Sequence, residues 1–385
     1  MTTRSRAERV RIRRIRERRW QLGVVVVALL CATVAAVTNA PRGLFATDEP
    51  AETDTGPLVL KGSLRTTLTL YTSDASVVRF AMLSGVDPQF EQATVVFIPA
   101  ATVIEVPALG LEPLTNLLTS ANATAMATNV ANALGVRIDE TVVVNDSGIA
   151  KAFAVTPRIT VSVPDAVSVD DGAASLEVGD NEVASSVAAQ LIRGNEPGGT
   201  LAHFATVQAV LNGWFAALRE RPDRIALATK VRGVSPMIRL SGFPDSVQFD
   251  TLPVSSVAAG DTERYEVNES AAEALFDERF RAARLGIRGS RVRMELLNGV
   301  GTPGLVQLVA NRVVPAGGQV VLTGNSVRFG ETATQVVYYR DTDAPLARRF
   351  ARILGVGSVA KGASPVSVVD ITIVIGADLA NKLKR

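Results

Sequence analysis

The chain has 385 residues, 47% of them hydrophobic and 20% charged, with a formal net charge of +2. That length and apolar share exclude a disordered or fibrous chain and allow two or three domains with real cores. One cysteine and one histidine exclude an intrachain disulfide, a cysteine zinc cluster and any mechanism needing two imidazoles.

The charge is unevenly placed. Residues 1–19 carry nine arginines and two glutamates, so the rest of the chain is mildly acidic and is not expected to bind nucleic acid. Residues 22–37 hold no charge. Extended to Ala40, the run reaches the roughly 20 residues that span a bilayer. Residues 1–19 read as a cytoplasmic basic tail and 20–40 as a transmembrane helix, with Trp20 at the boundary and Cys31 within the bilayer. The arginines place everything after Ala40 on the outer side of the plasma membrane. A signal peptide cut after Ala36 is the competing reading. Residues 41–57 read as a polar tether.

Beyond the tether, β-branched alternation predicts strands at 64–71, 77–83, 94–98, 102–107, 140–144 and 158–164. Apolar spacing predicts a helix after Pro113 that Gly135 caps, and further helices at about 180–193 and 201–221. The stretch 231–266, with Pro236, Pro244 and Pro253, reads as less regular. Strands alternating with helices give an α/β domain over 58–285. Residues 285–290, with Gly286 and Gly289, read as a linker. The remaining 290–385 read as a smaller βαβ-βαβ domain. Its strands are expected at 291–297, 319–322, 334–339 and 366–375. One helix should run through Leu305 and Val313, and another through Ala347 and Leu354 to a Gly355 cap.

Within this second domain Gly299-Val300-Gly301-Thr302-Pro303-Gly304 is a literal G-x-G-x-x-G between strand and helix. A dinucleotide fingerprint also requires an acid after the next strand, where Thr323-Gly324-Asn325 stands instead. A tight turn leading into the helix is the plainer reading.

The serial order of motifs in the first domain resembles the LytR-CpsA-Psr family. The carrying residues are Ala81-Met82-Leu83, Val86-Asp87-Pro88, Val96-Phe97-Ile98-Pro99 with Thr102, Gly135-Val136-Arg137-Ile138-Asp139 and Ile159-Thr160-Val161-Ser162-Val163-Pro164. The second domain looks like the LytR C-terminal domain, through Leu296-Leu297-Asn298-Gly299-Val300-Gly301, Val336-Val337-Tyr338-Tyr339 and Ile375-Gly376-Ala377-Asp378. The resemblance implies a membrane-anchored enzyme that moves a glycopolymer from a polyprenyl-pyrophosphate carrier onto peptidoglycan. It implies an apolar slot for the lipid, and arginines and an aspartate-held magnesium ion for the pyrophosphate.

This chain departs from that pattern where the chemistry lies. Ala100-Ala101-Thr102 stands where active members have Arg-Asp-Thr. Arg79 stands where they place an aspartate. Thr200-Leu201-Ala202-His203-Phe204-Ala205-Thr206 lacks the charges of the corresponding helix, although Gln208 is kept. Arg193 matches one retained arginine. The expectation is therefore a degenerate transferase-like domain with no catalytic residues, no metal ligands and no cofactor. It would bind lipid-linked or wall polymer, peptidoglycan, or an active transferase of the same family. The alternative is an active, magnesium-dependent phosphotransferase with a rearranged cradle. Arg79 and Arg193 are the candidate ligand-binding residues in either case, against plainer readings as a strand's polar face and an exposed helix-end charge. A long apolar channel beside Arg193 would accompany carrier binding; a filled core would not.

Other polar residues have structural readings. His203, between Ala202 and Phe204, reads as a hydrogen-bonded structural histidine. Asp170, Asp171 and Asp180 do not have EF-hand spacing and read as loop and helix-cap residues. Asn122, Asn145 and Asn268 open glycosylation sequons by pattern alone.

Overall fold

A computed structural model describes residues 64–87, 92–107, 109–116, 123–172, 174–194, 199–243, 247–257, 263–286, 291–363 and 368–384. The basic tail, the expected membrane span and the tether lie outside these residues. The chain forms two compact units, a larger one holding Pro57–Arg291 and a smaller one holding Val292–Val313 and Gln319–Arg385.

The larger unit begins with β1 (Arg65–Thr72), β2 (Val78–Asp87), β3 (Gln92–Pro99), β4 (Thr102–Val106) and β5 (Gly110–Pro113). Helix α1 (Ala123–Leu134), β6 (Glu140–Asn145), α2 (Asp146–Phe153) and β7 (Arg158–Val163) follow. Next come β8 (Val167–Val169), β9 (Ala174–Leu176), β10 (Gly179–Ala184), α3 (Ser185–Arg193) and α4 (Gly199–Glu220). The unit closes with α5 (Pro222–Ala228), α6 (Ser235–Leu240), β11 (Val247–Thr251), β12 (Val254–Ser256), β13 (Tyr265–Val267) and α7 (Glu269–Arg279).

Its main sheet has the order β11-β3-β2-β1-β6. The three central strands are antiparallel, while β6 and β11 add in parallel at the edges. Both faces are covered, which is why these strands read as near-continuous apolar runs. Alternate residues feed two cores. Tyr71, Phe80, Met82 and Phe97 enter one with Phe204 and Trp214 of α4. Leu70, Ala81, Leu83 and Val96 enter the other with Met126 of α1 and Phe276 of α7. Helix α4 is long and apolar enough to cross a membrane by length and composition. Here Val207, Val210 and Trp214 are fully buried in the first core, so it serves as a core helix. It sits so close to β7 that a β-carbon on Gly213 would lie 2.1 Å from the Thr160 carbonyl oxygen.

One expectation is corrected in this unit. The helix expected from about residue 180 begins only at Ser185; Gly179–Ala184 instead pairs antiparallel with β7, so Asp180 is a strand residue. Open backbone donors on β7 give those residues ladder partners that outweigh their weak helical preference. The stretch expected to be less regular contains α6 and three short strands, of which β11 extends the main sheet. Two of the sequon asparagines act locally as helix caps: Asn145 accepts from the Gly148 amide at 2.9 Å and Asn268 from the Ala271 amide at 3.2 Å.

The smaller unit runs β14 (Val292–Asn298), α8 (Leu305–Val313), β15 (Gly318–Asn325), β16 (Gln335–Tyr338), α9 (Ala344–Leu354), β17 (Ser358–Lys361), β18 (Ile371–Ile375) and α10 (Ala377–Leu383). Gly355 caps α9 in the left-handed region, with φ 69°. The sheet order is β15-β14-β18-β16-β17. The second βαβ unit therefore closes on β17, which the sequence reading omitted. The strand expected over 366–375 contributes Ile371–Ile375 to the centre of the sheet, parallel to β14 and antiparallel to β16.

Candidate functional site

A cleft of about 430 Å³ opens in the larger unit, and both predicted arginines line it. Ala100 and Ala101, at the turn between β3 and β4, line it as well. The positions at which the sequence departs from the family pattern thus share one cavity.

Arg79 reaches the cleft through a local irregularity. Tyr71 pairs with Phe80 while Thr72 pairs with Val78, so Arg79 is an extra residue in β2. Such a bulge turns a side chain out of the regular alternation. The guanidinium meets Asp146, the first residue of α2, with Nε 3.2 Å from Oδ1 and Nη2 2.9 Å from Oδ2. The Tyr71 hydroxyl donates to the same Oδ1 at 2.5 Å. Burial, and then this carboxylate, push the Tyr71 phenol well above its ordinary value. Asp146, Tyr71 and Arg79 form a half-buried charge-assisted cluster. Arg79 is therefore more than the polar face of a strand.

Arg193 ends α3 and is exposed, as expected of a helix-end charge, yet it also lines the cleft. It makes no ion pair among the described residues. His203 is buried, and its Nε2 lies 3.0 Å from the Ile192 carbonyl oxygen. A carbonyl can only accept, so Nε2 carries the proton.

Glu263, which the sequence reading did not single out, also lines the cleft. Thr200 Oγ1 donates to its Oε2 at 2.7 Å, and the Tyr265 hydroxyl donates to its Oε1. Burial, followed by this bond, pushes the Tyr265 phenol up to about 12. Asp146 was likewise visible in the sequence only as part of a sequon.

The magnesium ion implied by the resemblance does not fit this cleft. Both Asp146 oxygens face Arg79, one of them also holding Tyr71. Ala101 and Arg79 stand where aspartates would be required. Among the described residues no three His, Cys, Asp or Glu side chains gather as metal ligands.

Beside the cleft, the core between sheet and helices is packed. Phe97 and Phe204 stack with centroids 5.0 Å apart, and Phe249 stacks on the other side of Phe97 at 5.9 Å. The apolar cavity lined by Tyr71, Phe80, Ile192 and Met237 has a volume of about 10 Å³, room for about one water-sized sphere.

In the smaller unit the glycine-rich turn satisfies itself. Asn298 Oδ1 accepts from the amides of Val300 and Gly301 at 3.1 and 2.9 Å, and its Nδ2 donates to the Thr302 carbonyl at 2.9 Å. Those amides already have an acceptor, which a phosphate-cradling loop would leave open.

Residues 291–379 match the profile of the family described as LytR cell envelope-related transcriptional attenuator. No curated protein matches the chain. Among solved structures, protein gbs0355 from Streptococcus agalactiae aligns with a TM-score of 0.50 and 12% identity, covering 59% of this chain and 90% of that one. TagV of B. subtilis aligns with a TM-score of 0.48 and 14% identity, covering 57% and 98%. A structure of TagT bound to LI-WTA aligns with a TM-score of 0.48 and 14% identity, covering 63% and 97%. At such identities the likeness to gbs0355 is one of fold.

Proposed function

We propose that this protein, whose smaller unit carries a LytR C-terminal domain, is a single-pass cell-envelope protein that binds wall glycopolymer without transferring it. Its amino terminus lies in the cytoplasm and both units outside. The observation that carries the reading is the shared cleft, lined by Ala100, Ala101 and an Asp146-bound Arg79. A transferring phosphate needs fixed, uncommitted cations; here one guanidinium is committed to a carboxylate and two charged positions are alanine. Losing one such electrostatic contact costs about 10²–10³ in rate. Among the described residues, the core beside the cleft is filled by the stacked rings of Phe97, Phe204 and Phe249, so the reading assigns the cleft to the polymer and not to the lipid. TagT, as its solved complex states, binds LI-WTA; a related polymer is the ligand proposed here.

A second reading, an active phosphotransferase, draws on the presence of Arg79 and Arg193 in the same cleft. One experiment separates the two. The full chain, reconstituted in nanodiscs with magnesium, lipid-linked glycopolymer and peptidoglycan, should retain polymer through Arg193 and attach none. Covalent attachment lost in Arg193→Ala would establish the transferase instead.

A further inference from the structure

Two positive features of the cleft are met from within the chain. Arg79 faces Asp146. The amino end of α4 is the other such feature. Its first amides have no intrahelical acceptors, and the aligned peptides of a 22-residue helix place about half a positive charge there. Glu263 stands at that end. Its carboxylate accepts from Thr200, the second residue of α4, and lies over Gly199, where a β-carbon would sit 3.2 Å from Oε1. Gly199 has φ +79°, a conformation that suits glycine.

The carboxylate is held, not merely nearby. Tyr265 donates the second hydrogen bond from β13, and its own amide donates to the carbonyl of Ala101, another lining residue, at 3.2 Å. Two hydroxyls on separate elements therefore fix Glu263. The two lining guanidinium groups, Arg79 and Arg193, are matched by two carboxylates, Asp146 and Glu263. Of the two guanidinium groups, Arg193 alone is left without an ion pair among the described residues, and Glu263 is held by hydroxyls.

We propose that Glu263 is a specificity-determining residue, a built-in counter-anion that excludes diphosphates from the cleft. The cleft is then left to a hydroxyl-rich ligand that brings a single negative charge to Arg193. This rests on the reading of the cleft as a polymer-binding site. The physical reason is charge density. A diphosphate entering the cleft must share it with a carboxylate that is exposed but held in place by two hydroxyls, and like charges at close range repel. A phosphodiester carries one charge, which Arg193 can take, while its hydroxyls meet Thr200 and the neighbouring backbone.

The test uses the full chain in nanodiscs, titrated calorimetrically with inorganic pyrophosphate and with glycerophosphoglycerol, a singly charged, hydroxyl-rich diester. The parent should bind the diester more tightly. Glu263→Gln keeps the hydrogen-bonding shape and removes the charge, so it should tighten pyrophosphate binding at least tenfold and change diester binding less than threefold. Glu263→Ser carries the same expectation should the glutamine variant misfold. Arg193→Ala should lose the diester. Unchanged pyrophosphate affinity in both Glu263 variants, with Arg193-dependent binding of diester and wall polymer intact, overturns the role of Glu263 alone. Absence of Arg193-dependent binding of either the diester or wall polymer overturns the polymer-binding reading with it.

Discussion

Arg79 and Arg193 line one cleft but answer to different forces. Arg79 is 33% exposed at its side chain and its partner Asp146 13%, so each depends on the other for compensation of a partly buried charge. Arg79→Ala leaves Asp146 with only the Tyr71 hydroxyl and should cost about 2–3 kcal/mol of stability. Arg193→Ala removes an exposed charge and should change stability by less than about 0.5 kcal/mol. Urea denaturation of the two variants checks this, and a large loss for Arg193→Ala would show it to be a structural residue. The two arginines were legible in the sequence because the family pattern marks their positions. Asp146 and Glu263 were not. Asp146 lies 67 residues from Arg79 and Glu263 lies 63 from Thr200, and no local spacing announces a pair that only the folded sheet brings together. His203 was legible for the opposite reason: apolar neighbours on both sides leave a backbone carbonyl as its natural partner.

At the level of elements, the sequence reading was good where the hydrophobic period was long and poor where pairing decided. Strands β1 to β3 and helix α4 lie within about two residues of where alternation and helical spacing put most of their ends. Strand β10 and the short strands β11 to β13 exist because neighbouring strands offer open hydrogen bonds, a signal that lies elsewhere in the chain. The smaller unit shows a buried polar ladder of the same kind. Thr372 of β18 donates to Glu295 of β14 at 2.8 Å, and the Tyr339 hydroxyl lies 2.7 Å from Thr372 Oγ1. Burial pushes the Glu295 carboxyl above its ordinary 4.5, although the Thr372 bond opposes it. Because the folded value exceeds the unfolded one, this group's stabilisation is fully present below pH 4.5 and is lost as pH rises through the folded value. Glu295→Gln should therefore stabilise the smaller unit at pH 8 by about 1 kcal/mol and leave it little changed near pH 4. Hydrogen exchange of the β18 amides at the two pH values measures this. A variant less stable at pH 8 would mean that the charged form is the one the fold prefers.

For the whole molecule, two units with separate sheets follow an amino-terminal stretch whose arginines and apolar run are read from sequence alone. The two units divide after Arg291, and the profile match begins at 291. If residues 20–40 anchor the chain with both units outside, a carboxy-terminal alkaline phosphatase fusion should be active in intact cells. Deleting residues 1–40 should leave the fusion inactive in the cytosol. Activity that instead requires cell lysis would reverse the topology and remove the wall polymer from reach.

Excising Arg79 from β2 would leave Tyr71 opposite Phe80 and Thr72 opposite Val78, now as neighbours in an unbroken ladder. A one-codon deletion can therefore erase the guanidinium while mending the backbone pairing. Substitution, by contrast, keeps the kink, and either change leaves Asp146 with the Tyr71 hydroxyl alone. In this sheet the cleft's cation depends on chain length at one position as well as on which residue stands there.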